Sequence, residues 1–437
     1  MRLSSGAEHV DLTTVNLYDP SWYATGDPHS AWRQLRAEQP VYWQQLPDGR
    51  GFWVLTRHAD VCRVLRSFRD FTSEDGNLLT TLGQRDIAGG KMLAVTDPPR
   101  HTAIKRQIIG CFTPATVAAM EPQIRLLARR MFVPGLDGQV FDLAAQTAVF
   151  PIAITALLMG IDPAHWHRLR TFAYVAIADQ DPDVTSGRRD HALEWSHSEI
   201  FSYFAGELAN KPAARADLIG AIANATVDGC PLSQQEMLFN SYSVLLGATV
   251  TTSHAANVAV LALAENPGAD ERWRATGCTD TLVEEVLRWS SPANHFLRHA
   301  TRSIEIAGTT IRAGDPVTVW LGAANRDEEV FERPYDFDVN RDPRAHIAFG
   351  VGAHRCIGAP LARLALRVFA EETRDLVESF EIAGPVDHLA SNFIAGIKRL
   401  PVRVRLKRNG ATALAGLTPL NDDAGERGQR WERAITR

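Results

Sequence analysis

The sequence predicts a mainly α-helical fold with small β-sheets, and three observations carry the prediction. A helix-forming pattern runs almost without interruption from residue 115 to about residue 225. A second pattern begins at Ser233 and continues to about Glu265, long enough to cross a whole domain. Short β-prone runs occur in small groups, at 41–56, 303–321 and 401–406, separated by turn residues.

From the N-terminus, residues 1–17 read as an extension, and 28–38 as a short amphipathic helix. Val41-Tyr42-Trp43 and residues 51–56 flank Pro47-Asp48-Gly49-Arg50, which is a hairpin signal. Residues 59–66 return to helix. Residues 67–96 are irregular and rich in Gly, Ser, Thr and Asp, and a loop of that length is usually functional. Asp97-Pro98-Pro99 opens the next helix, with Asp97 as its cap and the prolines fixing the entry. Residues 150–158 are apolar on most sides and expected to be buried. Residues 179–189 are polar and turn-rich, a connection between two helices.

Ser233-Gln234-Gln235-Glu236 fits a capping box, and Asn266-Pro267-Gly268 ends the pattern that follows. A helix of that length spans roughly 48 Å at 1.5 Å per residue. Its middle, Gly247-Ala248-Thr249-Val250-Thr251-Thr252, is poor in helix propensity, and close helix packing is the plain explanation. Residues 279–289 form the next helix, with Glu285 and Arg288 three apart on one side. Short strands follow at 303–306, 309–312 and 317–321, and a last one at 401–406. Residues 408–437 are polar and Gly/Ala-rich and are expected to be a disordered tail.

Cys356 lies in a glycine-punctuated loop, just before a helix pattern with Pro360 in its first turn and Leu361, Leu364, Ala365 and Val368 on one face. Backbone N–H groups at a helix N-terminus favour an anion, so this position is expected to stabilise a thiolate. Gly350, Gly352 and Gly358 let the backbone turn tightly and approach something large and flat. Such a thiolate could serve as nucleophile, metal ligand or haem ligand. A lone cysteine at a helix start is ordinarily a small buried residue. Here, however, Phe349-Gly350-x-Gly352-x-His354-x-Cys356-x-Gly358 fixes several positions at once, a coincidence on the order of one in 10⁸ per start position.

That segment resembles the haem-binding loop of the cytochrome P450 family, and the resemblance extends over roughly residues 18–407 through further motifs in the right order. It implies one haem domain with the cytochrome P450 fold, a triangular prism with a long central helix over the haem. It implies haem b (iron protoporphyrin IX) with Cys356 as iron ligand and Phe349, Gly350 and Gly358 beside the haem. A thiolate ligand pushes electron density to favour O–O cleavage. The resemblance makes Arg298, His354, His101 and a basic residue four places further, here Lys105, the propionate ligands. Lys105 stands where arginine is usual and lacks the planar fork. Small residues such as Gly247 and Ala248 leave room for dioxygen, and Thr251, with Thr252 beside it, matches the threonine that helps deliver protons. The preceding residue is usually Asp or Glu, and Val250 cannot titrate. Waters with Thr251, polarity from the substrate, Thr252 or His254, or a reaction without oxygen insertion would each accommodate valine. Glu285 and Arg288, joined by Arg341, match a buried structural motif. The resemblance makes the 67–96 loop the cover of the substrate and 179–189 a mobile lid between two helices. Ser243, Leu246, Gly247, Val250, His295, Phe296 and Ile394 are the implied pocket residues, together with loop residues 74–96.

The net charge of −5 gives no reason to expect nucleic-acid binding. Five scattered cysteines without a CxxC pair argue against a disulfide framework or zinc site, and a reducing cytosol is the simplest setting. No signal-peptide succession and no run of about 18 apolar residues is found, so a cytoplasmic, monomeric protein without a membrane anchor is expected. With no flavin fingerprint and no cysteine cluster, electrons are expected from a ferredoxin and its reductase, docking near Arg344, Arg355 and Arg363. The implied activity is a haem-thiolate monooxygenase of secondary metabolism. It uses dioxygen and two external electrons to insert oxygen into a small organic substrate. Oxidative radical coupling without net oxygen insertion is the alternative within the same chemistry. A non-catalytic recruitment module is the alternative outside it.

Overall fold

The structure, a computed structural model, describes residues 9–25, 28–210, 215–342 and 344–421. Helices dominate. The pattern from 115 to 225 resolves into Glu121–Arg130, Leu143–Met159, Trp166–Ile177, Arg189–Ala209 and Leu218–Ala223, with shorter turns between. Leu143–Met159 is apolar all round because it is packed on nearly every side, and within 150–158 only Leu157 is exposed. It packs beside the long helical stretch Gln234–Glu265, which with Ala359–Leu376 forms the middle of the main core. The long stretch is apolar enough in mean hydropathy to cross a membrane, yet 67% of its most apolar window is buried inside the protein. It is the central core helix.

The main sheet has five strands in the order Val41–Gln45, Gly51–Leu55, Pro316–Trp320, His295–Ala300 and Phe71–Thr72. The first two form the expected hairpin, with Val41 opposite Leu55. Only the Gly51–Leu55/Pro316–Trp320 pair is parallel. Arg298 lies on the fourth strand opposite Val317, so its backbone is fixed by the sheet. Both bonds of the capping box at Ser233 are present.

Three expectations change. Residues 408–421 are not a disordered tail: Arg408–Leu414 is helical, and Leu414 and Leu420 enter the main core. The two leucines dock it together with hydrogen bonds from Arg130 to the Thr418 and Pro419 carbonyls and between Gln146 and Asn421, and residues 422–437 lie outside the described residues. Asp97 does not cap the helix Arg100–Ile108, whose N-cap is Pro99; its carboxylate turns instead to Thr72 and Ser73. Residues 179–185 are pinned. Asp181 accepts from the Ala390 N–H at 2.9 Å and from Lys398 Nζ at 3.1 Å, and Pro182–Thr185 is a short helix. The described part of the N-terminal extension packs too, with Leu12, Val15 and Leu17 joining Tyr23, Trp32 and Trp320.

Candidate active site

The cysteine loop owes its shape to two glycines. Gly350 and Gly352 have φ of +66° and +79°, and a Cβ on Gly352 would lie 2.6 Å from the Leu65 carbonyl oxygen, so no larger residue fits there. The Cys356 N–H donates to the Phe349 carbonyl at 2.9 Å. Cys356 retains open surface, but enough protein surrounds the sulfur for burial to push its thiol up. The N–H groups of Gly358 and Ala359 and the charge of Lys105 pull the other way without prevailing. A stabilised thiolate was the expectation for the helix terminus alone; desolvation outweighs it in the protein by itself.

Behind the loop, Arg363 stacks 4.6 Å over the Phe349 ring and is gripped by Glu284, which also meets His346 at 2.9 Å. Burial opposes ionisation of Glu284, yet Arg363 and His346 hold its carboxyl at about 2. Arg363 is therefore spent inside the fold, and Arg344 is paired with Asp342. Among the described residues only Arg355 of the three expected docking cations forms no ion pair.

Glu285 and Arg288 are fully buried and paired at 2.7 Å, and Arg341 reaches Glu285 at 3.2 Å. Arg288 also donates to the carbonyls of Asn325, Pro334 and Asp336, and the Asn325 side chain accepts from the Ile347 N–H. The ion pair is thus wired to the base of the cysteine loop.

A second cluster is basic. The rings of His101 and His354 lie 4.4 Å apart, and both are largely buried with Arg298 near them. Arg298 is 4% exposed, and among the described residues its only hydrogen bond goes to the Leu297 carbonyl. His101 Nδ1 is buried without a partner. Burial and mutual repulsion lower His101 to about 3, and burial lowers Arg298 to about 10. Asp97 is the charge that acts on Arg298, but among the described residues no carboxylate pairs with it directly; a buried guanidinium left so is costly, and a carboxylate-bearing ligand would relieve it. The residues present therefore fit the two propionates of a haem. Lys105 fits that task least: its Nζ donates to the carbonyls of Ala353 and Arg355 at 2.7 and 2.9 Å, bracing the cysteine loop.

The long helix breaks at Val250, giving Gln234–Thr249 and Thr251–Glu265. Thr249 donates to the Leu245 carbonyl at 2.5 Å and Ser253 to that of Val250 at 2.7 Å, and Thr251 approaches that of Gly247 at 3.4 Å. Such back-bonding bends helices, which explains the threonine cluster. Close packing does not explain Gly247. It is exposed, and an added Cβ would meet nothing within 4 Å. Gly247→Ala should therefore stabilise the haem-free protein by up to about 1 kcal/mol while crowding the open face. A denaturant midpoint reads this directly, and a fall would restore the packing explanation. Ala248, Ser243 and Thr251 are partly exposed nearby, whereas Leu246, Thr252 and His254 are buried.

Val250 is buried with Ala178, Leu389 and Ile394 and edged by Tyr174, Ile177, Val184 and Phe393. Ile394 and Val250 thus share one apolar wall that also includes Val184 of the 179–189 connection. Phe296 is partly exposed and packs edge-on to Phe393. His295 is held inside the fold by both ring nitrogens. Its Nε2 accepts from the Leu79 N–H and its Nδ1 faces the Asn392 carbonyl, fully buried. Burial lowers it to about 4. Leu79 and Asn392 are remote in sequence, so nothing local revealed that fate. Sequence reading also missed Asn240. Its side chain accepts from the Leu93 N–H and donates to the Lys91 carbonyl, pinning the 74–96 loop onto the long helix.

Comparison with known proteins agrees with this architecture. The family model described as Cytochrome P450 matches residues 278–385. The chain is 34% identical over 408 residues to cytochrome P450 NovI of Streptomyces niveus, covering 90% of this chain and 97% of that protein. It is 31% identical over 403 residues to linalool 8-monooxygenase of Pseudomonas putida, covering 89% and 98%. The crystal structure of P450 OxyD, involved in the biosynthesis of vancomycin-type antibiotics, superposes with a TM-score of 0.80 at 31% identity, covering 90% of this chain and all of that one. Likeness of this extent, carried through sequence and backbone alike, means that the chain belongs to the cytochrome P450 family.

Proposed function

We propose that the protein oxidises a small organic substrate of secondary metabolism, with Cys356 as the haem-iron ligand. The observation that carries this reading is the buried Arg298, without an ion-pair partner among the described residues, beside His101 and His354 and next to the cysteine loop. When bound, haem b supplies dioxygen activation: two electrons and two protons convert one oxygen atom to water while the other enters the substrate. Arg298, His101 and His354 would hold the propionates. The apolar wall of Val250, Ile394 and Phe393 would exclude water and orient the substrate. Thr251 Oγ1 would hold a water and pass its proton at the helix break. Because Val250 cannot titrate, protons travel by water and hydroxyl rather than through a side-chain acid.

Redox partners supply the electrons. A ferredoxin with its reductase is the partner pair we assign, approaching the cysteine face at Arg355 of a monomeric, cytoplasmic enzyme. The apolar surroundings of Val250 suit a second reading as well, oxidative coupling of two aromatic groups. One experiment separates the readings: turnover with a ferredoxin, its reductase, NADPH and labelled dioxygen on a panel of terpenoid, aromatic and peptide substrates. Label in the product supports oxygen insertion. Loss of two hydrogens without label supports coupling. Electron uptake into neither would leave a recruitment module.

A further inference from the structure

We propose that Asp97 is a positioning residue for the propionate end of the haem site, fixing the His354 ring so that the cysteine loop and the His101 helix present their basic groups to the same carboxylates. This rests on the propionate role given above to His101, Arg298 and His354.

Asp97 joins three segments. Its carboxylate accepts from Thr72 Oγ1 at 2.5 Å, Ser73 N–H at 3.1 Å and Ser73 Oγ at 2.7 Å, which ties it to the edge strand Phe71–Thr72 and its continuation. The same carboxylate lies 3.7 Å from His354 Nε2, and Ser73 Oγ bridges them at 3.3 Å. Its backbone carbonyl accepts the His101 N–H at 3.0 Å, and its own N–H donates to Glu74 Oε1 at 3.1 Å. The hydroxyl of Ser73 is completely buried, so the bridge is shielded from competing solvent.

A carboxylate beside a site for carboxylates is electrostatically unfavourable unless it orients the hydrogen-bond donors there. Asp97 does so at one end of the His354 ring. With Nε2 anchored, Nδ1 is the ring's remaining polar atom, and among the described residues it forms no hydrogen bond. The ring stack with His101 then sets where Nδ1 can reach. Burial would raise the Asp97 carboxyl, but the nearby His354 ring and hydrogen bonds from Thr72 and Ser73 hold it at about 2, so the anchor stays charged across the working range.

The test uses haem-loaded protein carrying Asp97→Asn, Ser73→Ala or Arg298→Leu. It measures haem transfer to excess apomyoglobin, the propionate-bending bands in resonance Raman, and the thermal midpoints of the haem-free and haem-loaded forms. Partners that orient a ligating group typically matter by about tenfold or more, and Asp97→Asn should speed transfer by about that factor. Ser73→Ala should act in the same direction, and both should move the propionate bands. A merely structural Asp97 would lower the haem-free and haem-loaded midpoints equally and leave the bands in place, which overturns the proposal. Unchanged transfer in Asp97→Asn, with faster transfer in Arg298→Leu, overturns it as well. Unchanged transfer in all three variants overturns the propionate reading on which it rests.

Discussion

Replacing Glu285 with alanine is expected to destabilise the protein by about 3–5 kcal/mol, because it strands a charge inside the core. Arg288 is fully buried and makes five hydrogen bonds, two of them to Glu285. Glu285 also accepts from the Asp338 N–H and from Arg341. Without it, two guanidinium groups lose their only shared counter-charge, and the carbonyls that Arg288 gathers are released. Because Asn325 passes from that network to the Ile347 N–H, the cysteine loop should loosen as well. The denaturant midpoint should drop sharply and haem should be lost early in the titration. A midpoint close to that of the native protein would show that the ion pair is dispensable. Glu285→Gln keeps the shape and should still be markedly destabilised, since the missing element is charge.

Val250→Asp should also be costly, and its cost should depend on pH. Val250 is 1% exposed and surrounded by apolar side chains from residues 174–184 and 389–394. A carboxyl placed there has its pKa raised above the unfolded value of about 3.9. Below that pH it is neutral in both states and the charge penalty is absent. As pH rises the unfolded chain ionises first, so stability falls until the raised folded pKa is passed. A shift of about three units corresponds to about 4 kcal/mol at neutral pH. Val250→Asn, with the same bulk and no charge, should show a loss independent of pH. A Val250→Asp protein whose stability does not decline between pH 4 and 7 would mean that water or a cation reaches the position. If the share of electrons recovered in product is unchanged by the acid, proton delivery does not limit turnover; a rise would show that it does.

These two predictions draw on different amounts of sequence information. The pairing of Glu285 with Arg288 is a matter of helix geometry, and the helix at 28–38, the hairpin at 41–55, the capping box and the strand at 401–406 are equally local, so each was legible. The break at Val250 was half legible: the poor helix composition is plain, but its packing depends on Ala178 and Ile394, far away in the chain. Asp97 shows the limit best. Asp before Pro-Pro reads as a cap, yet Thr72 and Ser73, brought alongside by the sheet, bind the carboxylate first. His295 and Lys105 changed roles for the same reason, since the atoms that hold them belong to Leu79, Asn392, Ala353 and Arg355. The polar C-terminal stretch misled because Leu414, Leu420 and its partners Arg130 and Gln146 meet only in the fold.

The central claim is that Cys356 carries a haem iron, and the absorption spectrum of the purified, reduced protein under carbon monoxide tests it most directly. A strongly red-shifted Soret band, absent in Cys356→Ala, is the predicted result. An unshifted band in the native protein, or no haem at all, would contradict it.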